Sequence, residues 1–99
     1  MSKDYFNLED FTQEIIKTNP NLNWTPAKAK SVVLYYIREK LLTPLKYKDL
    51  LDQGYPIPPY EKTTPKNFFR KIEIDRFNTI LKMKSEGYSL KLIQKLLLN

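Results

Sequence analysis

Three Thr-Pro pairs, Thr25-Pro26, Thr43-Pro44 and Thr64-Pro65, divide this chain into the pieces from which its fold must be assembled. A threonine hydroxyl accepts a hydrogen bond from the free N–H groups at a helix start, and proline suits the first helical position because its missing N–H would be unpaired there. The same proline disfavours helical dihedrals in the residue before it, so such a pair also stops whatever precedes it. Thr25 therefore caps a helix that runs towards Thr43-Pro44. Projected at about 3.6 residues per turn, Ala29, Val33, Leu34, Tyr36, Ile37 and Leu41 gather on one side as a core face. Lys28, Ser31, Val32 and Tyr35 form a stripe on the other. That stripe offers a cation, a hydroxyl, a methyl-bearing surface and a phenol, groups able to touch phosphates, base edges and thymine methyls in a major groove.

Upstream, Asn7 is placed to cap a helix with Asp10 in its first turn, and Leu8, Phe11, Ile15 and Ile16 recur at helical spacing up to about Thr18. Asn19-Pro20-Asn21 then forces a turn, and Leu22-Asn23-Trp24 leads to the cap at Thr25. Two helices joined by a short polar turn make a helix-turn-helix candidate. Trp24, two residues after Leu22 on an extended segment, reads as a core plug beneath the turn.

Downstream of Pro44, the stretch from Leu45 to Gln53 followed by Gly54 predicts a short helix with a glycine cap, although Leu45-Lys46-Tyr47-Lys48 also alternates as a strand would. Tyr55 to Tyr60 is proline-rich and reads as extended chain, followed by a basic polar loop from Lys62 to Asn67. Thr64-Pro65 leaves two alternatives. Either it caps a long helix reaching Glu86, or Phe68 to Ile72 forms a wing strand and the helix starts near Glu73. The alternation of Phe68, Arg70, Ile72 and Ile74 favours the wing, and Ile74, Phe77, Ile80 and Leu81 then repeat as a helix. Gly87 ends that helix, Ser89 caps the last one, and Leu90, Ile93, Leu96 and Leu97 supply its buried face. Lys62, Lys66, Arg70 and Lys71 cluster in the candidate wing, either as phosphate contacts or as a merely solvated basic loop.

Ninety-nine residues without cysteine or histidine make one domain in which disulfides, thiolate metal sites and the usual near-neutral general base are all missing. The acidic residues show no spacing suited to a metal or to paired acid-base chemistry, so no enzyme activity and no cofactor are expected. A net charge of +6 and a pI near 9.5 favour an acidic partner. No apolar run reaches membrane-span length and Met1-Ser2-Lys3-Asp4 lacks the apolar core of a secretory signal, so a cytoplasmic, nucleoid-associated protein is expected. Arg38, Arg70 and Arg76 are the only arginines, and lysine, asparagine, isoleucine and tyrosine abound, a composition that suggests coding in an AT-rich genome.

Two stretches together resemble the winged-helix DNA-binding domain of MerR-type regulators. That family shows Arg-Tyr-Tyr, three variable residues, then Gly-Leu-Leu, one variable residue and Pro. Here Tyr35-Tyr36, Leu41-Leu42 and Pro44 fall in register, with Leu34 and Lys40 standing where the family has arginine and glycine. The family's Gly-aromatic-Ser-Leu-x-x-Ile-x-x-Leu-Leu is met by Gly87-Tyr88-Ser89-Leu90, Ile93, Leu96 and Leu97. The resemblance covers roughly half the chain. It implies that Tyr35 contacts a DNA phosphate with Tyr36 packed below, and that Lys28, Lys30 or Arg38 replaces the arginine contact. The long dimerising helix and effector domain that usually follow have no counterpart, so no small-molecule effector is expected.

The resulting expectation is a mainly α, winged helix-turn-helix domain over residues 1–99, with four to five helices and a small β-wing: helix-turn-helix at 1–44, extended loop and wing at 45–72, C-terminal helix pair at 73–99. Its function would be sequence-specific binding of double-stranded DNA, as a small transcriptional regulator or an accessory factor (excision or partition type) of a mobile element. It would act as a homodimer or a higher array on DNA, without membrane association. Thr25, Lys28, Lys30, Ser31, Val32, Tyr35, Arg38, Lys62, Lys66, Arg70 and Lys71 would form the DNA-binding set. The alternative is a protein-interaction module using the apolar helix from Leu90 to Leu98, and a basic membrane-surface protein is a third reading.

Overall fold

In the computed structural model, which describes residues 5–54 and 67–98, Asn7 begins the first helix by accepting a hydrogen bond on Oδ1 from the Asp10 N–H at 2.7 Å. This helix, α1, spans Leu8–Thr18 and buries Phe11 and Ile15 completely. A single 3-10 turn, Pro20–Leu22, and Asn23 in the left-handed region carry the chain to Thr25. The Thr25 hydroxyl accepts from the Lys28 N–H at 3.1 Å and starts α2, Pro26–Arg38.

Helix α2 stops short of the second Thr-Pro pair. Lys40 adopts φ +61°, its N–H donates to the Ile37 carbonyl at 3.0 Å, and the Leu41 N–H donates to the Tyr36 carbonyl at 2.8 Å, a Schellman termination. The reason lies in the two leucines that follow. Had the helix continued, Leu41 and Leu42 would have pointed roughly 110° and 150° away from the line of Ala29, Val33 and Tyr36. Breaking it at Lys40 lets both drop into the core, where they are 1% and 2% exposed.

Leu45 does not open the next helix but forms a β-bridge with Phe68, its N–H donating at 2.6 Å and its carbonyl accepting at 2.8 Å. The short helix α3 is therefore confined to Tyr47–Asp52, with the Lys46 N–H donating to Asp49 Oδ2 at 2.7 Å and Leu50 buried. Gly54 follows at φ +72°. The Tyr55 to Tyr60 segment, the Thr64-Pro65 pair, Lys62 and Lys66 lie outside the described residues.

Strand β2, Phe68–Arg70, pairs antiparallel with β1, Tyr5–Asn7, in the register Tyr5 with Arg70, Phe6 with Phe69, and Asn7 with Phe68. A strand is thus present where the alternation placed one, but it ends at Arg70 and its partner is the segment before α1. Alternation splits its faces: Phe6 and Phe69 enter the main core, whereas Phe68 joins Leu45, Leu50 and Tyr5 in a second cluster. Lys71 already has helical dihedrals, and α4 spans Ile72–Ser85, so Ile72 is a helix residue, 62% exposed. A helix running unbroken from Pro65 is overturned by the strand at Phe68–Arg70.

Gly87, at φ +94°, ends α4 with a second Schellman motif, in which its N–H donates to Lys84 and the Tyr88 N–H to Met83. Ser89 Oγ accepts from the Leu92 N–H at 3.2 Å as α5, Leu90–Leu98, begins. Ile93 is fully buried with Leu90 and Leu97 beside the core, but Leu96, expected to be buried, is half exposed along with Leu92. Leu96 lies about 90° around the helix from the line of Leu90, Ile93 and Leu97.

Phe77 on α4 sits at the centre of an aromatic core, edge-on to Phe11 and to Trp24 and tilted against Tyr36 with ring centroids 5.2 Å apart. Phe69 stacks on Phe11 at 4.2 Å. Trp24 is the plug beneath the turn, and Asn19 Nδ2 reinforces the turn by donating to Asn78 Oδ1 at 2.7 Å. Gln94 on α5 donates to the Glu39 carbonyl at 2.7 Å, tying α5 to the end of α2. The architecture is mainly helical with one small antiparallel sheet, and no helix among the described residues is long and apolar enough to cross a membrane.

Candidate nucleic-acid interface

Helix α2 contains no acidic residue, and its packing decides which of its side chains are offered to a partner. Ala29, Val33 and Tyr36 face α1 and the core, leaving Ala27, Lys28, Lys30, Ser31, Leu34, Tyr35 and Arg38 exposed. Two positions exchange roles relative to the sequence expectation. Val32, assigned to the outer stripe, lies only about 70° from the buried line and packs half-buried against the core. Leu34, assigned to the core, lies about 130° from that line and is 38% exposed. Ala27 is a further member of the outer face that the stripe reading missed; measuring each angle from the Ala29, Val33, Tyr36 line would have found it.

The electrostatics of this face are one-sided. Lys28, Lys30 and Arg38 make no ion pair with any acid among the described residues. Ser31 lies nearly opposite the buried line, with Lys28 and Tyr35 on one flank and Lys30 on the other. Such a surface can present cations to two phosphate strands with a hydroxyl between them. Beneath it, the Tyr36 phenol is held above its ordinary pKa by burial, and the neighbouring Tyr35 phenol adds to the shift. Tyr36 therefore stays neutral and structural, while Tyr35, 39% exposed, is available for contact. Thr25 is exposed, and its hydroxyl is engaged in the helix cap. At the start of α2 a cleft of about 490 Å³ separates Pro26, Ala27 and Lys30 from Leu8, Glu9 and Gln13 of α1.

Of the second cluster of expected contacts, Arg70 and Lys71 are described, at the end of β2 and the start of α4. The β1–β2 pair packs on α1 and α4. Arg70, expected on a phosphate, instead directs Nη2 to Oε1 of Glu73 at 3.5 Å. Glu73 is 1% exposed and its Oε2 has no hydrogen-bond partner, so Arg70 is the counter-ion of a buried carboxylate. Leaving that carboxylate alone would be costly, which gives the exposed Arg70 a role within the fold. Lys71 is exposed at the start of α4. Among the described residues no group of His, Cys, Asp or Glu could hold a metal ion.

Comparison with protein-family models, with curated proteins and with solved structures found no match for this chain.

Proposed function

We propose that this chain is a sequence-specific double-stranded DNA-binding protein of winged helix-turn-helix type, with α2 as the helix that enters the major groove. The observation that carries this reading is the outer face of α2, where three cations without an ion pair among the described residues, Ser31 and Tyr35 are exposed together on an acid-free helix. A net charge of +6 supplies the long-range attraction that such a face needs. The resemblance to MerR-type regulators gains support from Lys40, which occupies the family's glycine position and takes the left-handed conformation that glycine favours. Gly87 and Ser89 act as the helix stop and helix cap of the second motif. The role is that of a small transcriptional regulator or accessory factor binding as a pair or an array, because one domain offers limited contact area on DNA.

The direct experiment is an electrophoretic shift with genomic fragments competed by random duplex. A retarded complex that survives random competitor supports the reading, and equal competition by both DNAs reduces it to charge alone. A second reading, a protein-interaction module, is favoured by Leu92 and Leu96, exposed one helical turn apart on α5. Sedimentation without DNA tests it. Self-association abolished by Leu96→Glu supports an interface on α5, and a monomer at high concentration argues against one.

A further inference from the structure

We infer that α2 reads thymine-containing steps through their C5-methyl groups, with Leu34 as the principal apolar contact, so that the target is an A·T-rich duplex. The inference rests on the DNA-binding reading above and deepens it. In a major groove, arginine and lysine pair with guanine, asparagine and glutamine with adenine, acids with cytosine, and apolar groups with the thymine methyl. Helix α2 carries no asparagine, glutamine, aspartate or glutamate. Its exposed cations Lys28 and Lys30 lie towards the flanks, nearer to where the phosphate strands bound the groove, and Arg38 is the last residue of the helix. Base edges are met chiefly from the N-terminal part of such a helix, where Ala27 and Ser31 stand; Leu34 follows one turn after Ser31, and Arg38, a further turn on, is the farthest from them.

Before the last turn of the helix, the middle of this face offers two apolar side chains, Ala27 and Leu34, and the Ser31 hydroxyl, with Arg38 in line with them at the end. Leu34 is the larger of the two apolar side chains, and it is neither in the core nor among the half-buried side chains packed against it. A thymine methyl covers a leucine as readily as another side chain would, and the flanking cations hold that leucine against DNA. Ser31 accepts or donates and so tolerates either strand.

The test uses the full chain and a duplex recovered from the electrophoretic selection, with affinity measured by fluorescence anisotropy at fixed salt. Replacing each thymine of the site by deoxyuridine removes only the methyl groups and keeps pairing and charge. Because one buried methyl corresponds to roughly a fourfold change in affinity, two such contacts predict about a fifteenfold loss with the wild type. Leu34→Ala, at an exposed position, should bind the thymine duplex more weakly and lose most of the difference between thymine and uracil. Equal binding of the two duplexes by the wild type overturns the inference while leaving DNA binding intact. A thymine preference unchanged in Leu34→Ala overturns the role of that residue. Failure to bind any duplex overturns the functional reading itself, and the inference with it.

Discussion

At φ +61° the Lys40 backbone holds its Cβ against the following carbonyl, a conformation that costs an L-residue about 1–2 kcal/mol. Glycine does not meet that crowding but has more freedom to lose on folding. Lys40→Gly should therefore raise stability by about 0.5–1 kcal/mol, read as a rise in Tm of a few degrees. A fall would mean that the lysine side chain holds the turn in some other way. Arg70 gives the opposite sign. With Glu73 buried and Arg70 its charge partner, Arg70→Ala leaves a carboxylate without compensation and should cost about 1–3 kcal/mol, the exposed guanidinium moderating the loss. DNA affinity measured well below the melting temperature should stay nearly unchanged, whereas a large loss of affinity in a stable Arg70→Ala variant would restore that residue to the phosphate set. Neither role was legible in the sequence. A lysine does not announce a left-handed turn, and an arginine in a basic segment looks the same whether it faces solvent or a buried acid.

Helix boundaries were legible wherever a side chain itself makes the cap. Asn7, Thr25 and Ser89 each accept from the backbone N–H three residues on, and Gly87 takes the positive φ that ends α4. The end of α2 was not, because it is decided by where Leu41 and Leu42 can be buried, a tertiary matter. Strand β1 was hidden for a related reason. Three residues carry too little alternation to read, and its pairing depends on β2, more than 60 residues away. Val32 and Leu34 were exchanged because both are apolar and each stands next to Val33, so only the helix's actual rotation separates them. That rotation is testable by stability alone. Val33→Ala should cost about 1–4 kcal/mol through lost burial and a cavity, whereas Leu34→Ala should stay within about 0.5 kcal/mol in a denaturant titration. If the two effects came out reversed, the outer face of α2 would have to be reassigned.

Across the whole molecule, the aromatic core formed by Phe11, Trp24, Tyr36, Phe69 and Phe77 fixes α1, α2 and α4 against one another and leaves the outer face of α2 exposed. Lys28, Lys30 and Arg38 are thereby exposed on one helix. The basic cluster expected around the wing is divided: Arg70 is tied to Glu73 and Lys71 is exposed, with Lys62 and Lys66 outside the described residues. The electrostatic part of recognition should therefore depend strongly on α2, and counterion release measures that dependence. The decisive experiment is the salt dependence of the protein–DNA complex, compared between the wild type and a Lys30→Ala, Arg38→Ala double variant. With roughly four to six phosphate contacts per domain, the plot of log affinity against log salt should fall with a slope of about −4 to −5. In the double variant it should be shallower by roughly one to two units, with the melting curve unchanged. A flat salt response, or the same slope in both proteins, would contradict the assignment of α2 as the DNA-binding helix.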